Sequence, residues 1–321
     1  MTTLTFQARV LDLLPEVEMR MRAQTRGYHP ILKDALEQLL GGGGKRVRPT
    51  VVLLASAMLG VERELSIDLA AAIELLHTAT LVHDDLIDGA DLRRGQPTLN
   101  SRLSTPATIL TGDFLFSQAA WLGAQVGSAE VMRMFASTLS TIVNGEITQI
   151  FERNALTNRE VYMQRIYAKT ASMFELAAKA AAVLVGKKHE YGPALQAYGY
   201  GIGMAFQMVD DTLDFSSDAA SLGKPVASDL RLGLITLPAL CYLEAHPDDA
   251  RLKRLQAGET LPDLDMESLI EDIRASGSID AARREARQQV AEAIAALDKL
   301  PATPERDSLA EVAEYVVERL R

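Results

Sequence analysis

The chain has 321 residues, 48% of them apolar, and a formal charge of -10; that is enough apolar material for a sizeable core and too acidic a balance for a general nucleic-acid binder. A lone cysteine, Cys241, excludes a disulfide framework and a cysteine-rich zinc site, and its apolar setting predicts a buried, inert thiol in a protein of a reducing cytosol. The first six residues lack the basic start and apolar core of a signal peptide, and no apolar run reaches membrane-spanning length without a charge or breaker, so a soluble, cytoplasmic protein is expected.

Nearly every segment carries helical periodicity, and no series of short alternating runs predicts a sheet, so the expected fold is all-α. Breaks are expected at residues 41–44, 89–106, 156–158, 186–192, 216–233 and 246–265, which leaves about ten or more helices of ordinary length. The first break joins four glycines to Lys45-Arg46-Val47-Arg48-Pro49, three cations behind a run that lets backbone approach a ligand. A Walker A loop is excluded, because Leu39 stands where its first glycine belongs and Arg46 follows the lysine. Taken alone, such a run is more often a solvated basic turn.

The next apolar helix carries Glu74, His77 and then Asp84-Asp85-Leu86-Ile87-Asp88. Asp84 and Asp88 share a face, where like charges repel unless something cationic sits between them. His77 lies two turns before Asp84 on about the same face. Glu74 and His77 match half of a di-iron Glu-x-x-His signature, but no other histidine has a glutamate three residues earlier. Arg93 and Arg94 follow in a turn beside Asp91; they suit either a salt bridge to Asp88 or Asp91 or the planar recognition of phosphate.

Residues 107–126 form an apolar helix suited to an interface between copies. Lys169, Thr170 and Gln207 interrupt apolar helices with polar groups, for which the ordinary expectation is snorkelling or local satisfaction. Gln207 lies three residues before a second acidic motif, Asp210-Asp211-Thr212-Leu213-Asp214, and shares its face. Two such ridges suit hard Mg²⁺ ions, which take oxygen ligands and share them with substrate phosphates. Residues 216–233, with Lys224, read as a lid. The Pro- and acid-rich stretch 247–265 is the only credible boundary, yet the helices beyond it are too amphipathic to stand alone, so residues 1–321 are expected to form one domain. In the last helix Thr303 caps, Pro304 fits the first turn, and Leu309, Val312, Ala313, Val316 and Leu320 form one stripe.

From Gly43 to Pro238 these pieces, in this order, resemble the trans-polyprenyl diphosphate synthases. The match rests on Gly43-Gly44-Lys45-Arg46-Val47-Arg48-Pro49, Glu74-Leu75-Leu76-His77, both acidic motifs, Asp91-Leu92-Arg93-Arg94-Gly95, Gly112-Asp113-Phe114-Leu115, Lys169-Thr170, Phe206-Gln207 and Gly223-Lys224-Pro225. The resemblance implies a single helical bundle of the isoprenoid synthase type with a central cavity, active as a homodimer. It implies that Lys45, Arg48, His77 and Arg94 hold isopentenyl diphosphate, while Arg93, Lys169 and Lys224 contact an allylic diphosphate. Asp84, Asp85, Asp88, Asp210, Asp211 and Asp214 would serve three Mg²⁺ ions as ligands or as their support, and Thr170 and Gln207 would lie near the reacting carbons with Lys169. One departure stands out: where many members carry Gly-Lys-x-Thr, this chain has Gly233-Leu234-Ile235-Thr236.

The implied reaction breaks an allylic carbon–oxygen bond and extends the carbocation by one isopentenyl unit, so it needs stabilisation of the departing diphosphate and a dry pocket for the cation. Ala79 and Thr80, five and four residues before Asp84, are small, and Ala72 lies deeper. By resemblance this leaves room for a product of about 30 to 50 carbons, of quinone side-chain type, with release at a membrane surface. The alternatives are a short-chain farnesyl or geranylgeranyl synthase, a terpene cyclase and an inactive regulatory subunit. The cyclase would not need the second phosphate pocket of Lys45, Arg48 and Arg94, and the inactive subunit would be expected to have lost some of the aspartates or cations.

Overall fold

A computed structural model describes residues 5–42, 44–93, 95–151, 157–216 and 226–318. The chain forms two compact units, each drawn from three stretches: Met1–Ser137, Met173–Gln196 and Ala296–Val312 in the first, and Thr138–Ser172, Ala197–Ala295 and Ala313–Arg321 in the second. The acid-rich stretch 247–265 lies inside the second unit and is not a boundary.

The all-α expectation holds apart from one small hairpin. Among the described residues the first unit holds α1 (Thr5–Val10), α2 (Leu14–Ala23), α3 (Pro30–Gly41), α4 (Val47–Leu59), α5 (Arg63–Ile87) and α6 (Thr105–Gln125). Helix α5 is its centre: residues 70–73, Leu75, Leu76 and Ala79 are wholly buried, and α2, α4 and α6 pack around them. Helix α5 is long and apolar enough to cross a bilayer by length and composition, but it carries Asp68 and Glu74 within its apolar run and its apolar faces are spent on this packing. The hairpin pairs β1 (Leu92–Arg93) antiparallel with β2 (Gln96–Pro97), and Gly95 supplies the left-handed turn residue with φ of 73°.

Arg46 sits at the start of α4 with φ of 46°, a conformation that costs a non-glycine residue on the order of 1–2 kcal/mol. Its guanidinium explains why the strain persists. It donates to Glu18 on α2 and to Glu74 on α5, each at 3.0 Å, and to the Leu40 carbonyl at the end of α3.

The chain continues through α7 (Ala129–Phe151), α8 (Arg159–Ile166), a π-helical turn Tyr167–Ala171, α9 (Ser172–Leu184), α10 (Lys188–Ser216), α11 (Ser228–Arg231), α12 (Leu237–Ala245), α13 (Ala250–Gln256), α14 (Asp263–Ala275), α15 (Ser278–Leu297) and α16 (Pro304–Glu318). In the second unit Arg159 on α8 pairs with Glu244 on α12 at 2.7 Å and with Glu285 on α15. Gly201 lets α10 cross α15 closely, since a Cβ there would lie 2.9 Å from Ala293 Cβ. Two expected breaks are shorter than the sequence implied. Helix α10 resumes at Lys188 and absorbs Pro193 in its second turn, and α13 interrupts 246–265 because Asp249 caps it by accepting from the Arg251 N–H. The cap on α16 is as expected: Thr303 Oγ1 accepts from the Arg306 N–H, and Leu309, Val312, Ala313 and Val316 are buried. Leu320 lies outside the described residues. Cys241 is buried, and desolvation pushes its thiol up to about 11.

Candidate active site

In the first unit the acidic motif occupies the last turn of α5. Asp84 is half-buried, Asp85 is buried and Asp88 is exposed. The Asp88 N–H donates to the Asp84 carbonyl at 2.8 Å, so the helix ends on the motif itself. The hairpin folds back on this end: the Ala90 N–H reaches the Asp85 carbonyl at 2.9 Å, and Thr98 Oγ1 donates to the Ala90 carbonyl at 2.7 Å. Arg93 Nε thereby donates to Asp85 Oδ1 at 2.7 Å. Burial raises the Asp85 pKa, Arg93 opposes the rise and the charge of Asp88 adds to it. Asp85 therefore faces inward onto a protein cation, while Asp84 and Asp88 keep more access to solvent. Arg94 lies outside the described residues.

The other predicted residues of this unit divide by role. Lys45 is exposed, and Arg48 places its guanidinium carbon 4.6 Å above the centre of the Phe174 ring. Arg46, between them, is held by Glu18 and Glu74 as described. Glu74 is thus an ion-pair partner rather than half of an iron site. His77 is half-buried; Ala79 is wholly buried, and Thr80 returns its hydroxyl to the His77 carbonyl at 2.8 Å.

Sequence reasoning missed His83, next to Asp84. Its Nε2 lies 3.3 Å from the Ile109 carbonyl and 3.5 Å from Asp113, and its ring centre is 5.2 Å from that of Phe116. A Cβ at Gly112 would stand 2.5 Å from His83 Nε2, so glycine is what lets α6 approach the imidazole. A glycine inside an apolar helix was the available signal.

In the second unit the acidic motif lies near the end of α10. Asp210 is half-buried, while Asp211 and Asp214 are buried. Asp211 Oδ2 accepts from the Tyr162 hydroxyl and Oδ1 from Gln207 Nε2, both at 2.8 Å. Burial pushes its pKa up to about 7 against the pull of these two hydrogen bonds. The Thr170 hydroxyl donates to Gln207 Oε1 at 2.6 Å. Asp214 accepts from Ser228 Oγ at 2.9 Å and from the Asp229 N–H at 3.2 Å, fastening the start of α11. Tyr162 and Ser228 were not foreseen.

Lys169 and Thr170 lie in the π-helical turn, where one extra residue re-aims the side chains of a helix. Lys169 Nζ is 3.0 Å from Glu146 Oε1, an acidic partner on α7 that the sequence did not disclose. Lys224 and half of the expected lid 216–233 fall in 217–225, outside the described residues. Among the described residues no group of three or more acidic, histidine or cysteine side chains is close enough to hold a metal ion. A donor set of hard carboxylates without a closed cage suits Mg²⁺ shared with a ligand's phosphates better than a structural metal.

The sequence model described as Polyprenyl synthetase matches residues 29–273. The octaprenyl diphosphate synthase of Escherichia coli is 38% identical over 285 residues, 88% of each chain, and a prenyl transferase of Synechocystis sp. is 41% identical over 296 residues, 91% of each. Among solved structures, a decaprenyl diphosphate synthase from Rhodobacter capsulatus matches with a TM-score of 0.90 at 32% identity over 98% of both chains. A polyprenyl synthase from Caulobacter crescentus, complexed with calcium and isoprenyl diphosphate, matches with a TM-score of 0.89 at 33% identity over 97% of this chain and 96% of that one. With that coverage by both sequence and structure, the chain belongs to the polyprenyl synthetase family.

Proposed function

We propose that this protein is a Mg²⁺-dependent prenyltransferase that condenses isopentenyl diphosphate with an allylic diphosphate, all-trans and head to tail, to give a medium- or long-chain polyprenyl diphosphate for a quinone side chain. The observation that carries the reading is the pair of Asp-Asp-x-x-Asp helix ends. In each, the second aspartate is buried on protein donors and the first is only half-buried. The names octaprenyl and decaprenyl synthase carried by relatives at 38% and 32% identity support the longer product. The calcium and isoprenyl diphosphate of the Caulobacter crescentus protein support a divalent-metal diphosphate site.

In this reading Asp84, Asp88 and Asp210 offer carboxylate oxygens to the ions, with Asp85, Asp211 and Asp214 holding the helix ends and loops in place. The bound ions supply charge neutralisation for the departing diphosphate. Lys45, Arg48, His77 and Arg94 take isopentenyl diphosphate, while Arg93, Lys169 and Lys224 face the allylic diphosphate. Arg93 and Lys169 already rest on Asp85 and Glu146, so their positions are set before substrate arrives. Thr170 and Gln207 lie beside the allylic carbons. The small side chains of Ala79 and Thr80 admit the growing tail. Exposed Leu110 and Trp121 on α6 support a homodimer through residues 107–126, and an apolar product favours release at a membrane surface.

The test is incorporation of labelled isopentenyl diphosphate by the purified chain alone, with farnesyl diphosphate and Mg²⁺. Chain extension that stops on chelation supports the reading; cyclised hydrocarbon, or no turnover without a second polypeptide, overturns it.

A further inference from the structure

Tyr162, Asp211, Gln207 and Thr170 form a hydrogen-bond chain whose direction is fixed at one end. Both oxygens of Asp211 accept, one from the Tyr162 hydroxyl and one from the Gln207 amide nitrogen. Tyr162 is fully buried, Asp211 and Thr170 nearly so, so the pattern is not averaged by solvent. With both of its oxygens accepting, Asp211 claims the amino end of the Gln207 side chain. The carbonyl end is left facing Thr170, where it accepts that residue's hydroxyl proton at 2.6 Å. A hydroxyl carries one proton; with that proton committed to Gln207, the free lone pairs of Thr170 Oγ1 point elsewhere. Arg165 completes the support: it lies 5.6 Å from the centre of the Tyr162 ring and donates to the Ile235 carbonyl at 2.7 Å.

We infer that Tyr162 and Asp211 are positioning residues that fix the Gln207 amide, so that Thr170 presents lone pairs rather than a proton to the reacting carbons, and that Asp211 is not a metal ligand. This rests on the proposed condensation, in which an allylic carbocation forms beside Thr170. Electron-rich oxygen stabilises such a cation, whereas a proton aimed at it repels it. The amide flip is the sensitive point, because a reversed Gln207 would put its amino group against Thr170 and turn the hydroxyl proton outward.

Hydrogen-bond polarity provides the test. Asp211→Asn sets the new amide against the old one, leaving either Tyr162 or Gln207 facing a donor, and the Gln207 side chain flips. Adding Gln207→Glu restores the order: Asn accepts from Tyr162 and donates to Glu, whose other oxygen accepts from Thr170. The net charge is unchanged and displaced by one turn. At saturating substrates Asp211→Asn should lower kcat about tenfold or more and Tyr162→Phe by a smaller factor, and the double variant should recover to within about threefold of wild type. Mn²⁺ affinity with inorganic diphosphate bound, read by electron paramagnetic resonance, should stay within about twofold in all three, since no ion ligand is lost. Thermal midpoints of each variant separate kinetic loss from unfolding. A double variant no faster than Asp211→Asn overturns the inference, as does a Mn²⁺ affinity reduced about tenfold by Asp211→Asn alone. Wild-type protein that fails to condense in the same assay overturns the proposed function, and this inference with it.

Discussion

Of the three cations in Lys45-Arg46-Val47-Arg48, the middle one is structural, and its removal distinguishes fold from substrate binding. The Arg46 side chain is 12% exposed and Glu74 is 6%, with Glu18 more open at 28%. Arg46→Met leaves Glu74 ionised among the apolar side chains of α5 with its guanidinium partner gone. Breaking a buried pair by removing one member costs about 3–5 kcal/mol. At about 2 °C per kcal/mol for a chain of this size, the melting midpoint should fall by about 6–10 °C. Replacing both members by methionine should recover more than half of that fall, because the buried charge is gone as well and only the better-hydrated Glu18 loses a partner. The assay is thermal unfolding by circular dichroism, paired with steady-state kinetics at a temperature well below every midpoint. The KM for isopentenyl diphosphate should change by less than about twofold in Arg46→Met, whereas Arg48→Met should raise it about tenfold or more. A midpoint within about 2 °C of wild type, or a double variant no more stable than the single one, would refute the assignment of Arg46 to the fold.

Other perturbations bear on the rest of the site. Gly112→Ala puts a Cβ 2.5 Å from His83 Nε2; it should cost about 1–3 kcal/mol in denaturant unfolding and lower kcat/KM by moving the residue next to Asp84, and unchanged stability would contradict the packing described. Glu146→Gln removes the carboxylate on which Lys169 rests, so under the proposed role of Lys169 the KM for the allylic diphosphate should rise; a fall would show that the ion pair competes for Lys169 rather than positioning it. Asp211 is raised from 3.8 to about 7 in the folded protein, so its favourable contribution is complete below about pH 4 and is lost as the pH rises towards 7. In chelator the midpoint of wild type should therefore fall across that window relative to Asp211→Asn, and a constant difference would contradict the shift.

Local signals were legible in the sequence. The apolar periodicity gave α5, Thr303 and Pro304 gave the start of α16, and the doubled acidic motif with its flanking arginines marked the candidate site. What failed to show depended on partners far along the chain. Arg46 meets Glu18 and Glu74 across 28 residues each way, Tyr162 meets Asp211 across 49, and nothing in the local pattern of any of these predicts the pairing. The π-helical turn at Lys169 was invisible for another reason: an i→i+5 bond leaves no periodic trace over five residues. Asp249 was passed over because the acidic residues around it masked a helix cap as a linker. The expectation for Arg93 was split between salt bridge and phosphate contact, and the structure shows the first, with Asp85 rather than Asp88 or Asp91 as the partner. The hairpin decides this by turning Arg93 back over the helix end.

The central claim is that the two acidic helix ends serve one metal-dependent chain-elongation reaction with a long product. The most direct measurement is mass analysis of products from purified protein given farnesyl diphosphate, excess isopentenyl diphosphate and Mg²⁺, run beside Asp84→Ala and Asp210→Ala. The account predicts polyprenyl diphosphates of about 30 to 50 carbons from the wild type and no elongation from either variant. A wild-type product that stops at geranylgeranyl diphosphate would contradict the chain length, and undiminished elongation by either variant would contradict the site.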